Sequence, residues 1–249
     1  MHCLLLHGLA GEPSDWDAAA ALLPGWDARV PRLDYLGADS LDALARDVAA
    51  ALPTAFLERG FLVAGNSLGG LLALALGRAL DGPASPVRRL VLAGTHLRTA
   101  SGRLDRGNAT VRRELERIFH DPGRLSAEQV RRYERTWAAF TGSRQAFRGL
   151  RRVKAMIRAF DQAPAWRALQ HRTLLLCGRH DRLSPLPWFH ELHARYPGLR
   201  LRVLERCGHA VPLERPRLLA SLLAREAALP CPVPAPALSV PGAAPEARP

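Results

Sequence analysis

Gly65-Asn66-Ser67-Leu68-Gly69-Gly70 follows the apolar run Phe61-Leu62-Val63-Ala64 and precedes a leucine-rich stretch over residues 71–80. Four apolar residues ending at glycine predict a buried strand, and the run beyond Ser67 predicts a buried helix. A small polar residue flanked by glycines at a strand-to-helix turn has two readings. Ser67 is a nucleophile lifted above a sheet, with Gly65 and Gly69 permitting close backbone approach, or it is only the cap of the helix over 67–80.

Working outward, short apolar runs alternate with helical patterns. Strands are predicted at residues 3–6, 28–33, 61–64, 87–93, 173–177 and 199–204, and helices at 18–23, 67–80, 186–196 and 215–228. Ser40 caps a further helix whose Leu41, Leu44, Val48 and Leu52 share one face. Strands separated by helices imply an α/β fold, a mostly parallel doubly wound sheet covered on both faces. The alternation stops in the stretch from Thr95 to Trp166, where only helical patterns occur, at 110–119, 126–140 and 145–160. This predicts residues 1–95 and 167–229 as the core and 96–166 as a helical cap above the carboxyl edge of the sheet. Residues 230–249, rich in proline and alanine, read as a disordered tail.

The chain has 249 residues, 48% of them apolar, which suits one large globular domain. Its net charge is +12, and Lys154 is the single lysine. Between Arg98 and Arg172 lie eighteen basic and seven acidic residues, which is nearly the whole imbalance. Such a stretch fits an anionic substrate, an acidic carrier or a membrane surface, or simply a solvated helical exterior. Few aromatics interleave the arginines and no nucleic-acid module is recognisable, so a nucleic-acid partner is not expected. The four cysteines show neither metal-ligand spacing nor a disulfide framework. They read as reduced thiols of a cytoplasmic protein. The start lacks signal-peptide form, and Arg78 interrupts the best apolar stretch, so no stable membrane insertion is expected.

A serine nucleophile needs a base and a group that orients it. His209, in "ERCGHAVPLERP", and Asp181, in "CGRHDRLSP", both follow predicted strands, where open α/β sheets build their sites. The chain order is Ser67, Asp181, His209. "LLLHGLAG" places His7 and Gly8 directly after the first strand, so backbone N–H groups of Leu9 and Leu68 can converge on one oxyanion. Trp16 walls the pocket or packs nearby, and Asn66 precedes the serine. On the cap, Arg131 and Arg135 project together while Arg132 diverges, so the first two are candidates to hold an anionic substrate. The remaining histidines show no ligand pairing, and neither a metal nor an organic cofactor is expected.

The stretches "HGLAGEPSDW", "GNSLGG", "GRHDRLSP" and "CGHAVPLERP" together resemble the α/β-hydrolase superfamily, in its form with a helical cap between strands six and seven. The resemblance runs from Cys3 to about Ala228. It implies Ser67 as nucleophile, His209 as general base and Asp181 as orienting acid. Family members usually place two antiparallel strands before the His-Gly strand, so either the sheet is truncated, which leaves the strand at 28–33 as an edge, or the true start codon lies upstream. A small carboxylic ester or thioester is the expected substrate. The cap stretch 116–140 and Asn66 also resemble the carbon–carbon bond hydrolases of meta-cleavage products, which carry a tryptophan where this chain has Ala210. A non-catalytic binding member of the fold is the reading from another class. Oligomeric state is left open.

The tail reading predicts that deleting residues 230–249 changes neither Tm nor activity, as checked by thermal unfolding. A loss of several degrees would show that the tail docks.

Overall fold

The computed structural model describes residues 1–95, 111–141 and 143–230. Most of the tail, and the part of the cap at 96–110, lie outside the described residues. Strand β1 (His2–Leu6) leads into a 3-10 turn at Pro13–Trp16 and a short helix α1 (Asp17–Ala20). Next come β2 (Asp27–Arg29), α2 (Leu41–Ala50), α3 (Thr54–Arg59), β3 (Phe61–Asn66), α4 (Leu68–Ala79) and β4 (Val87–Ala93). The helices α5 (Val111–Ile118), α6 (Ala127–Thr141), α7 (Arg144–Ala159) and α8 (Ala163–Leu169) follow, with no strand among the described residues there. The chain then returns through β5 (Thr173–Gly178), α9 (Leu186–Arg195), β6 (Arg200–Leu204), α10 (Val211–Glu214) and α11 (Pro216–Ala228).

The six strands form one sheet in the order β2-β1-β3-β4-β5-β6. Every pair is parallel, with registers such as Leu5 opposite Ala64 and Leu92 opposite Leu175. Side chains alternate between faces, as the two-residue strand period requires. Leu4, Leu6, Val63, Leu90 and Leu92 enter one core cluster with α2, α4, α8 and α9. Cys3, Leu5, Leu62, Ala64, Val91 and Ala93 enter the other with α1 and α11. Helix α4 is buried along Leu68–Gly77 because it lies between the sheet and neighbouring helices, which explains its nearly uninterrupted apolar sequence.

Three expectations change in the structure. The strand read at 28–33 is only Asp27–Arg29. Beyond it Pro31 has no N–H to donate, and the Leu33 N–H goes to His7 Nε2 at 3.1 Å instead of a ladder. The helix read at 18–23 is Asp17–Ala20, continued by tight turns from Leu22 N–H to the Ala19 carbonyl and from Leu23 N–H to the Ala20 carbonyl. Helix α8 was not expected. It runs through the predicted cap boundary at 166, and its Ala165, Trp166 and Leu169 belong to the main core. It is the crossover helix that brings the chain back to β5.

The helices α5 and α6 are fastened to the body at a third apolar cluster, in which Leu115, Phe119 and Tyr133 meet Ala210. An ion pair joins them on the other side. Arg132 of α6 reaches the Asp15 carboxylate and donates to Ser14 Oγ at 3.1 Å. Both charged side chains are little exposed, 13% for Arg132 and 11% for Asp15. Burial pushes the Asp15 carboxyl up, more than the guanidinium and the Glu12 N–H pull it down. Removing one partner strands the other. Arg132→Ala is therefore expected to destabilise by about 2 kcal/mol or more in urea unfolding. The double variant with Asp15→Ala should lose less than the sum of the single ones.

Candidate active site

Strand β3 ends at a turn whose geometry side chains would forbid. A Cβ on Gly65 would strike the Gly69 carbonyl and Gly70, and one on Gly69 would strike the carbonyls of Leu6 and His7. The start of α4 thus lies directly against the end of β1. The residue between these approaches, Ser67, has φ 58° and ψ −122°. Only Ser67 and Arg206 combine a positive φ with a side chain among the described residues. Such a conformation costs about 1–3 kcal/mol and persists because its surroundings hold it. Here the Ser67 N–H donates to the Ala93 carbonyl of β4 at 2.7 Å. No side-chain cap bond forms at Ser67, so the serine is not serving as a helix cap. Its side chain is half-buried at the carboxyl end of the sheet.

This end is where the strand order reverses. The chain steps from β1 out to β2 and then crosses to β3 on the other side, and such switch points open a crevice. Gly8 lies in that crevice: a Cβ there would stand 3.1 Å from Ser67 Cβ and 3.7 Å from its Oγ. The backbone from His7 to Leu9 therefore runs alongside the serine. Among the described residues, no hydrogen bond of the turn takes the N–H of Leu9 or Leu68.

His7 holds this segment rather than facing substrate. Its Nδ1–H donates to the Gly8 carbonyl at 2.9 Å, and its Nε2 accepts the Leu33 N–H at 3.1 Å. The Tyr35 hydroxyl donates to the His7 carbonyl at 2.7 Å. Both ring nitrogens are engaged in the neutral form, and burial lowers the pKa of the ring.

Asp181 and His209 come together beyond β5 and β6. The His209 Nδ1–H donates to Asp181 Oδ2 at 2.8 Å, and Oδ1 accepts the N–H groups of Leu183 and Ser184, each at 2.8 Å. The Asp181 side chain is fully enclosed and that of His209 is 6% exposed. Ser184 Oγ donates to the Gly94 carbonyl at 3.0 Å, tying this loop to the end of β4. Gly94, with φ 58°, has room for no side chain, since a Cβ would sit 2.9 Å from His209 Nδ1. The imidazole thus rests on the residue that follows Ala93, the acceptor of the Ser67 N–H. His180 stands outside this arrangement, its ring 4.1 Å from that of His120.

Other candidates go elsewhere. Trp16 is 1% exposed and packs in the core with Cys3, Leu5 and Ala19, so of its two readings the structure shows packing. Asn66 is half-buried beside Ser67 with its Oδ1 enclosed and unbonded. Arg131 and Arg135, the pocket candidates on α6, are both exposed, whereas Arg132 turns inward to the buried carboxylate of Asp15. A guanidinium is costly to bury without such a partner. Sequence reasoning missed Asp15, Tyr35 and Glu214, which act through contacts distant in the chain. Among the described residues, no three His, Cys, Asp or Glu side chains group as a metal site, and no helix is long and apolar enough to cross a membrane. Cys3, Cys177 and Cys207 are buried free thiols, and burial pushes that of Cys177 up to about 12.

The lowered pKa of His7 has a consequence for stability. A proton on Nε2 would break the bond to the Leu33 N–H, while the unfolded chain binds it freely. The stability it contributes is present above the ordinary imidazole value of 6.5 and is lost as pH falls below it. Wild-type Tm should therefore fall between pH 7 and pH 5 more steeply than that of His7→Gln. Equal slopes in a pH series of thermal unfolding would contradict this role.

Comparison with known proteins agrees with the fold. The model of the Alpha/beta hydrolase family matches residues 3–222. A 2-hydroxymuconate semialdehyde hydrolase from Pseudomonas putida is 32% identical over 242 residues, covering 88% of this chain and 84% of that protein. Among solved structures, a mutant of the meta-cleavage product hydrolase CumD from Pseudomonas fluorescens IP01 superposes with a TM-score of 0.71 at 20% identity, covering 91% of this chain and 90% of that one. A thermophilic esterase from Thermogutta terrifontis does so with a TM-score of 0.69 at 20% identity, covering 90% and 88%. The match along nearly the whole core, on a parallel sheet with this turn after β3, makes the chain a member of the alpha/beta hydrolase family.

Proposed function

We propose that this protein is a serine hydrolase that cleaves a small carboxylic ester or thioester through an acyl-enzyme. What supports this reading is a strained Ser67, at φ 58° on the turn after β3, together with a buried His209 whose Nδ1 is held by Asp181 at 2.8 Å. Engagement of Nδ1 leaves Nε2 as the nitrogen for proton transfer. Ser67 Oγ attacks the substrate carbonyl as His209 takes its proton. The oxygen that becomes negative is received by the backbone N–H groups of Leu9 and Leu68, the second at the N-terminus of α4, where the helix dipole favours negative charge. His209 then protonates the leaving alcohol or thiol. Water, activated by the same imidazole, attacks the acyl-enzyme and releases the acid. Asp181, with three hydrogen bonds to its carboxylate, orients the imidazole and stabilises its charged form. In this reading helices α5, α6 and α7 roof the pocket and exclude water from the charged intermediate.

A second reading has its own support. The Pseudomonas putida relative is named a 2-hydroxymuconate semialdehyde hydrolase, and Asn66 precedes the serine as in the carbon–carbon bond hydrolases that this chain resembles. Against it stands Ala210, which packs with Leu115, Phe119 and Tyr133 of the cap where those enzymes carry tryptophan.

The test is a fluorophosphonate probe, followed by p-nitrophenyl esters of increasing acyl length and a meta-cleavage dienol. Labelling of wild type but not of Ser67→Ala is expected, with ester turnover in Ser67→Ala lowered by about 10³-fold or more at unchanged Tm. Near-wild-type turnover in that variant would remove Ser67 from the mechanism. Faster decay of the dienol than of any ester would favour carbon–carbon cleavage.

A further inference from the structure

The loop that carries His209 touches the cap through its backbone. The His209 N–H donates to the Ile118 carbonyl at the end of α5, at 2.6 Å. The preceding N–H, of Gly208, donates to Glu214 Oε1 at 2.8 Å, and the other oxygen of that carboxylate, Oε2, accepts the N–H of His120 at 2.8 Å. One side chain therefore bridges two backbone donors, one beside the catalytic imidazole and one just past α5. The joint is tight: a Cβ on Gly208 would meet the Ile118 carbonyl, the His120 nitrogen and Phe119. It is flanked by the tilted ring pair of His120 and His180 and by the apolar contact of Phe119 and Ile118 with Ala210 and Leu213.

Glu214 is an unusual choice for a mere filler. It is half-buried, and burial pushes its carboxyl up while the two N–H groups pull it back. An apolar residue would pack at this place without that desolvation, but it would leave the part-buried Gly208 N–H and the His120 N–H without this acceptor. What the position requires is two acceptor oxygens about a carboxylate apart.

We propose that Glu214 is a positioning residue that fastens the His209 loop to the end of α5, so that the base is seated only while α5 is in place. The role of His209 rests on the serine-hydrolase reading; the bridge itself does not. Opening of α5 would pull on Ile118 and His120 together, and the strain would reach the imidazole within one residue. Cap position and base alignment are then one equilibrium, which a substrate seated beneath the cap would bias.

The experiment compares Glu214→Gln and His120→Pro with wild type. Glutamine keeps the shape but replaces one acceptor with an NH2 group that opposes a backbone N–H, whereas proline removes the donor on the cap side together with the ring that meets His180. Both variants are expected to lower kcat for a p-nitrophenyl ester roughly 10- to 100-fold, with KM changed far less. A packing role would instead be rescued by the isosteric glutamine. Independently of turnover, the low-field proton resonance of His209 Nδ1–H, identified by its loss in His209→Ala, should shift or broaden in both variants. If Glu214→Gln folds poorly, Glu214→Asp, too short to span both donors, should show the same changes. An unchanged resonance with wild-type kcat in Glu214→Gln overturns the proposal. If wild type instead resists the fluorophosphonate probe, the hydrolase reading fails while the resonance still decides the bridge.

Discussion

Two backbones cross here without side chains between them, and the remainder of the site depends on that crossing. Gly65 and Gly69 let the end of β3 and the start of α4 lie against each other and against the end of β1. The approach sets Ser67 in a conformation that residues with side chains avoid. It also delivers the segment from His7 to Leu9 to the same crevice. The strain is tolerated because α4 is buried along most of its length between the sheet and its neighbours. Burying a leucine side chain is worth about 1.5–3 kcal/mol, so this one helix offsets a strained residue several times over.

Around that crossing, polar groups are satisfied locally, and each one fixes the next. Asp181 is held by two backbone N–H groups of its own loop before it meets His209. A carboxylate so anchored has few orientations left, which leaves the imidazole few as well. His7 plays a parallel part on the other side, where both nitrogens are bonded to backbone and the ring ties the loop after β2 to the turn after β1. The two histidines thus differ in their partners. One is locked neutral between backbone groups, and the other is bonded through Nδ1 to a buried carboxylate.

Charge on the cap divides in the same manner. Helices α6 and α7 expose Arg131, Arg135, Arg144, Arg148, Arg151 and Arg152, and charge spread over such a surface favours solubility more than fold. The charged groups that shape the molecule are the few taken out of water. Arg132 with Asp15 joins α6 to the turn after β1, and Glu214 joins the end of α5 to the His209 loop. These attachments lie on the segments that carry the backbone beside Ser67 and the His209 imidazole, so α5 and α6 are tied to both.

The amino-acid sequence by itself determined the order of the strands, most of the helices between them, the parallel sheet and the turn at Ser67, and it marked Asp181 and His209 beyond the later strands. Each is written in local terms: a two-residue or helical period, glycines around one serine, and Asp181 and His209 just past apolar runs. Even the divergence of Arg132 from Arg131 and Arg135 follows from helix geometry. Which of them turns inward did not, because the deciding partner, Asp15, lies more than a hundred residues away. For the same reason the strand at 28–33 was read too long: its Leu33 N–H is claimed by His7, a partner only the folded chain brings near. Trp16 could wall a pocket or fill a core until α11 and β1 closed over it. Glu214 reads in sequence as an acidic residue near the start of the last helix. Its two acceptor bonds exist only because the end of α5, nearly a hundred residues earlier, folds back onto the loop of His209. Periodicity and turn chemistry act between neighbours in the chain, whereas a buried charge is decided by whichever counterpart the tertiary structure supplies.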